Sequence, residues 1–172
     1  MQKILKRKGI IEYISYGKRH REDGPAAIWF NGDKSWYLHG HLHRIDGPAL
    51  EWTNGHQEWW LHDQRHRDDG PAIEYLNGDK EWWIHGKRHR EGAPAIESFS
   101  EKRWYLHGHL HREDGPAIEL PNGRKEWHLH DQCHREDGPA IEDAYGNKWW
   151  YFQGKNYTEK EYWRVLKLKA LW

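Results

Sequence analysis

Apolar and polar positions alternate along this chain in short runs, and the runs themselves recur with a period of about 23 residues. The recurrence is marked by "HREDGPA" and its variants, whose histidines stand at 20, 43, 66, 89, 111 and 134, in steps of 23, 23, 23, 22 and 23. The one short step coincides with a changed turn at Ser98-Phe99-Ser100. A fixed period of this length predicts stacked supersecondary units, each burying its apolar face against its neighbours, in place of a single globular core.

Within one unit, such as "AIEYLNGDKEWWIHGKRHREGAP" from Ala72, two β-prone runs are separated by Asn-Gly and by a His-Gly or His-Asp corner. Asn-Gly, at 31–32, 54–55, 77–78 and 122–123, is a strong hairpin signal because both residues tolerate positive φ. Period-two alternation then assigns the faces. One face carries Trp36 and Leu38, Trp59 and Leu61, Trp82 and Ile84, Trp104 and Leu106, Trp127 and Leu129, Trp149 and Tyr151. The other carries Tyr37, Trp60, Trp83, Tyr105, His128 and Trp150, flanked by histidines at 39, 62, 85, 107 and 130.

Loop length decides which partner positions meet. A two-residue loop across Asn-Gly would set Glu51 against Glu58, Glu74 against Glu81 and Glu119 against Glu126, a repeated like-charge penalty. An odd loop would mix apolar with acidic positions, so four-residue loops are expected, with Trp52 opposite Trp59. A buried indole removes about 150–250 Å² from water, worth roughly 4–6 kcal/mol as an upper bound, against ~0–1 kcal/mol for an exposed ion pair. A continuous dry seam of tryptophans is therefore expected to hold the array together.

The ends differ from the middle. "KILKRKGIIEYISYG" reads as a degenerate first hairpin, and "TEKEYWRVLKLKALW" places Thr158 three residues before Glu161, a capping-box signature for a helix over about 159–171. Tyr162, Trp163, Leu166 and Ala170 fit one stripe that closes the last sheet edge, while Trp163, Leu171 and Trp172 offer a second way to dock another chain. The expected fold is all-β: an elongated single-layer antiparallel hairpin array over 1–157, of roughly 13 strands and ~60 Å, followed by a C-terminal capping helix over 158–172.

Composition narrows the chemistry. Lys+Arg and Asp+Glu both number 27, so no standing positive field steers the chain to nucleic acid or anionic lipid, although fifteen histidines add charge on acidification. Cys133 is the only cysteine, which excludes an intrachain disulfide, argues against a cysteine-rich zinc site and fits a reducing compartment. No apolar run is long enough for a signal peptide or membrane span, so the expectation is a cytoplasmic protein without membrane insertion.

In "HREDGPA" the Asp-Gly-Pro element is turn chemistry: Asp bonds nearby amides, Gly accepts positive φ and Pro donates nothing to a ladder. His and Arg beside it are expected to form a brace with Asp and with the histidine column at 39, 62, 85, 107 and 130. Six near-copies argue against an active site, which needs one asymmetric constellation, so the chain is read as non-enzymatic. The fourth copy, "HREGAP", lacks the aspartate and is either weaker or specialised. Histidines alternate in the "HGHLH" runs at 39–43 and 107–111, but the corner glycine breaks the alternation and no acid or cysteine stands at a recognised ligand spacing. No metal and no cofactor are expected. Cys133 occupies the column of Arg65 and Arg88 and is read as a packed or neutral thiol, because His134 points to the other strand face.

"YGKRHREDGPA" at 16–26 and "WWIHGKRHREGAPA" at 82–95 carry a family resemblance. Over about residues 10–157 the unit resembles a MORN repeat, and more specifically the "NGKLHREDGPA" variant common in phage and giant-virus proteins. The resemblance implies an antiparallel β-meander with an assembly role, in host cytoplasm if viral. Exposed aromatics beside arginine have the composition of interface hot spots. The candidate binding residues are accordingly Tyr37, Trp60, Trp83, Tyr105 and Trp150, with Arg67, Arg90 and Arg112 at the rim. A protein partner is the first expectation. Stacked bases on the aromatics with phosphates on the arginines is the second, and a His/Asp hydrolase or nuclease at one corner the third. Homodimerisation through a sheet edge or the apolar face is compatible with a one-layer sheet.

Overall fold

A computed structural model describes residues 2–171, which leaves Trp172 outside the described residues. Contacts divide the chain into two compact units, Met1–Lys87 and Arg88–Trp172. In the first, Gln2–Arg7 and Ile10–Ser15 form a hairpin with six facing pairs, the expected first hairpin at full strength. An antiparallel sheet continues from it through Ala27–Trp29, Lys34–Ser35, Leu50–Glu51, Gln57–Glu58, Ile73–Glu74 and Lys80–Glu81. In the second unit the order is Ile96–Glu97, Lys102–Arg103, Ile118–Glu119, Lys125–Glu126, Ile141–Glu142, Lys148–Phe152 and Lys155–Tyr157. An antiparallel hairpin meander with one C-terminal helix is the class the periodicity predicts.

Most strands are shorter than expected because the long runs break at Trp36, Trp59, Trp82, Trp104 and Trp127, whereas Lys148–Phe152 passes unbroken through Trp149. The N–H of Trp36, Trp59, Trp104 and Trp127 donates to the carbonyl of Ala49, Ala72, Ala117 and Ala140 at 2.8–2.9 Å, while their own carbonyls accept from His43, His66, His111 and His134. Beyond the break the chain enters a second small hairpin, such as Trp60–Leu61 with Gln64–Arg65. Its two corner residues are both left-handed: His39 (φ 53) with Gly40 (φ 89), His62 (φ 48) with Asp63 (φ 61), His130 (φ 49) with Asp131 (φ 66). This is the I′ geometry that matches strand twist.

Asn-Gly makes a different turn from the one expected. Leu50 faces Glu58, Glu51 faces Gln57, and Trp52 N–H donates to His56 O, which leaves a three-residue loop of Thr53, Asn54 and Gly55. Only the glycine is left-handed (φ 92), and Asn54 Oδ1 accepts from His56 N–H at 2.9 Å. Four-residue loops and a Trp52–Trp59 pair are thus corrected. The odd loop also avoids like charges, by setting Glu74 against Lys80 and Glu119 against Lys125. The acid it places beside an apolar residue is satisfied where it lies: Glu58 Oε2 accepts from Trp60 Nε1 at 2.9 Å and Arg65 Nε at 3.2 Å. In the 22-residue step the loop shrinks to Phe99-Ser100, closed by Ser98 N–H to Glu101 O, and Glu97 still meets a lysine, Lys102.

The core is not a seam of indoles. Alanines 26, 49, 72, 95, 117 and 140 are fully buried, whereas Trp36, Trp59, Trp104 and Trp127 are half-buried. Equivalent side chains stand two strands apart, about 9.6 Å, beyond ring contact, and each of these indoles is met by a guanidinium instead. Arg44 lies 4.0 Å from the Trp36 ring, Arg67 4.0 Å from Trp59, Arg112 4.1 Å from Trp104 and Arg135 4.0 Å from Trp127.

This placement explains the glycine of Asp-Gly-Pro. Gly24, Gly47, Gly70, Gly115 and Gly138 are absent from the left-handed set, contrary to the turn-chemistry expectation. A Cβ at Gly47, Gly70 or Gly115 would stand 2.8 Å from Cζ of the arginine three residues earlier. Gly70→Ala is expected to cost about 1–3 kcal/mol through this overpacking, read as a lower urea midpoint at unchanged slope. The fourth copy shows the relaxed form. Ala93 takes the glycine's place, Gly92 adopts φ 68, and the Arg90 side chain is 30% exposed against 20–23% for Arg44, Arg67, Arg112 and Arg135.

The helix spans Glu159–Lys169, with the expected capping box from Thr158 and Glu161. Its buried face seats Tyr162 against Trp150 and Phe152, with Tyr157, Val165 and Leu166 alongside, and the Tyr162 hydroxyl donates to Arg135 O. Trp163 remains 39% exposed.

Candidate functional site

Each "HRxDGPA" corner is built around its arginine. Arg67 donates from Nε to Asp69 (2.9 Å) and from Nη1 to Pro71 O (3.2 Å) and Glu74 (2.9 Å), with its flat face on Trp59. Arg44, Arg112 and Arg135 repeat this set. Hydrogen bonding from the guanidinium, reinforced by its charge, holds Asp46, Asp69 and Asp114 below the ordinary carboxylate range. Successive corners leave open grooves of about 500 to 680 Å³, lined by the same arginine, acid and tryptophan types. Arg67 and Arg112, expected at the rim of a binding face, are keystones of their corners. Arg90 donates to Pro94 O (3.0 Å) and Glu97 (3.4 Å).

The motif histidine forms the expected brace with the corner column. His20, His43 and His66 stack on His39, His62 and His85 at 4.5, 4.3 and 4.4 Å in the first unit. In the second, His89 and His111 stack on His107 and His130 at 4.5 and 4.3 Å. Nδ1 of His20, His66, His89 and His134 accepts a backbone N–H from His39, His85, His107 and Gln153 at 3.0–3.2 Å. That bond requires an unprotonated Nδ1. The "HGHLH" runs resolve differently from a metal comb. Asp63 accepts from Leu42 N–H (2.7 Å) and meets His41 Nδ1 (2.5 Å), and Asp131 does the same with Leu110 and His109. Each "HGH" is thus matched by a "HD" one repeat later.

On the second face, Arg65 lies between Trp60 (4.9 Å) and Trp83 (5.3 Å), and Arg19 lies 5.4 Å from Tyr37. In the second unit Tyr105 meets Arg88 at 5.6 Å. Tyr37, Trp60, Trp83 and Tyr105 are half-buried. Trp150 is not on that surface: it is 9% exposed, under the helix, 5.0 Å from Tyr162 and 5.7 Å from Trp163.

One repeat departs from the pattern. Where Glu58, Trp60 and Arg65 meet in the first unit, the second unit has Glu126, His128 and Cys133. His128 directly faces Cys133 across the small hairpin. Its Nε2 lies 3.1 Å from Glu126 Oε2 and 3.6 Å from Cys133 Sγ, and Arg124 Nε donates to Glu126 Oε1 at 2.7 Å. Hydrogen bonding from His128 outweighs burial and, with Arg124, holds the Glu126 carboxyl down to about 2. Burial pulls His128 down, but the thiol and Glu126 together raise it to about 9. Sequence reasoning compared Cys133 with its neighbour His134 and missed His128. The available signal was the I′ corner itself, which places residue i opposite i+5 and brings the only histidine of the Trp60 column against the only cysteine of the Arg65 column.

Comparison with protein-family models and with curated proteins gives no match. No described helix is long and apolar enough to cross a membrane.

Proposed function

We propose that this chain is a non-enzymatic binding or scaffold protein that engages a protein partner through the aromatic edges of Tyr37, Trp60 and Trp83 in the first unit and Tyr105 in the second. The carrying observation is preorganisation. Arg65 and Glu58 fix the Trp60 ring while leaving it half open, so little side-chain entropy remains to be lost on docking. The MORN-like pattern supports an assembly role and a viral or phage-type protein acting in host cytoplasm. Stacking of nucleic acid on the same rings is the weaker reading, because Arg67 and Arg112 already carry their own carboxylates and the net charge is zero. A corner hydrolase is weaker still, since four corners hold the same arginine set.

Affinity capture from the native host tests this with wild type and with Trp60→Ala/Trp83→Ala, each checked for a retained fold by circular dichroism. A salt-insensitive partner lost by the folded double variant is expected. Unchanged capture by a folded double variant contradicts the assignment, and binding that falls steeply with salt points instead to nucleic acid.

A further inference from the structure

We propose that Glu126, His128 and Cys133 form a binding site for one borderline divalent transition ion, of the class of Zn²⁺. Ligand type comes first. A thiol, an imidazole and a carboxylate are the donors such ions take, whereas Mg²⁺ and Ca²⁺ call for oxygen throughout. The three ligating atoms all lie within 4.8 Å of one another, the one such group among the described residues.

The two spacings from the imidazole agree with tetrahedral coordination. Metal–nitrogen and metal–oxygen bonds of about 2.0–2.1 Å and a metal–sulfur bond of about 2.3 Å, at a tetrahedral angle, put nitrogen and sulfur roughly 3.6 Å apart and nitrogen and oxygen roughly 3.3 Å apart. His128 Nε2 stands 3.6 Å from Cys133 Sγ and 3.1 Å from Glu126 Oε2. The backbone fixes this arrangement. His128 and Cys133 are facing partners across an I′ hairpin, and Glu126 lies two residues before His128, where period-two alternation returns it to the same side.

The repeat supplies the comparison. In the first unit the same three positions are Glu58, Trp60 and Arg65, a hydrogen-bonded and stacked set that needs no ion. Two facing positions have both changed to ligand types while the acid is kept. Three protein ligands leave a fourth position for water or an outside ligand, the pattern of zinc sites that remain open. His128 Nδ1 is buried without a hydrogen-bond partner, so the ring lacks the outer-shell support usual for a ligand. The affinity is accordingly expected to fall below that of a closed four-ligand site.

The probe is Co²⁺ added to the full chain under reducing conditions and followed by absorption spectroscopy. One equivalent should produce a thiolate-to-cobalt charge-transfer band with tetrahedral visible bands, all removed by Zn²⁺. Cys133→Ser should abolish the charge-transfer band and weaken uptake by about 100-fold or more, since loss of an outer-shell partner alone costs about 10–100-fold. His128→Trp/Cys133→Arg, which writes in the pair found at Trp60 and Arg65, should fold and give no band. A wild-type spectrum without the charge-transfer band, or Co²⁺ uptake equal in wild type and the folded double variant, would overturn the proposal by assigning the ion to histidines elsewhere.

Discussion

Arg67→Ala is expected to lower the unfolding free energy by roughly 2–4 kcal/mol. The substitution removes a cation–π contact worth about 0.5–2 kcal/mol and charge-assisted hydrogen bonds worth about 1.5–3 kcal/mol. It also leaves Pro71 O and the partly covered Glu74 without their donor. The Asp69 bond adds little, because that side chain is 85% exposed and water replaces the guanidinium there. Arg67→Lys should recover only a small part, since an ammonium has neither the planar face for Trp59 nor the fork that reaches Pro71 and Glu74 together. The fourth copy has Gly92 in place of the aspartate and its arginine is the more exposed, 30% against 23%, so Arg90→Ala should cost less than Arg67→Ala. Urea unfolding of the three variants reads all of these differences, and an Arg67→Ala midpoint equal to wild type would remove the arginine from its keystone role.

Acidification should destabilise the fold well above the range in which carboxylates titrate. His43 sets the sign: burial, with the charge of His62 behind it, holds its pKa below the ordinary value. The unfolded chain then binds more protons below about pH 6.5. Stability present above that pH is lost as pH falls through the folded value. The His43 ring stands 4.3 Å from that of His62, so charging His43 meets a like charge at short range.

One term opposes this loss. His128, raised to about 9, contributes stability that is fully present below about pH 6.5 and lost as pH rises through 9. The aspartates held low by their arginines lose their contribution only further down, as pH falls through folded values below 3.8. Urea unfolding should show the midpoint falling between about pH 7 and about pH 5. His43→Asn, which does not titrate, should flatten that fall. A midpoint independent of pH over that range would show that His43 is not proton-sensitive.

Much of this molecule is legible in its sequence, for particular reasons. The 23-residue period and the alternation give the antiparallel hairpin class, and Thr158 with Glu161 gives the helix start, because each depends on local chemistry alone. The His-to-corner brace is also visible, since both columns repeat in phase. Loop length is not, because Asn-Gly serves both a two-residue turn with Asn left-handed and a three-residue loop with only Gly left-handed. Cross-strand charge, Glu74 to Lys80 rather than Glu74 to Glu81, decides between them. The indole seam fails for a metric reason: two strands per repeat separate equivalent rings by more than a stacking distance, and each ring is faced by a guanidinium plane instead. The candidate ion site was hidden by the same register, for Cys133 is next to His134 in sequence but faces His128 in space.

Central to the whole account is that arginine on tryptophan, and not tryptophan on tryptophan, welds each repeat to its corner. A double-mutant cycle between Trp59→Leu and Arg67→Met measures this most directly, since both replacements keep apolar bulk while removing the ring and the cation. Coupling of about 1–2 kcal/mol is expected for a largely desolvated cation–π pair. Additive losses, with Trp59→Leu costing the same whether or not the guanidinium is present, would contradict the account.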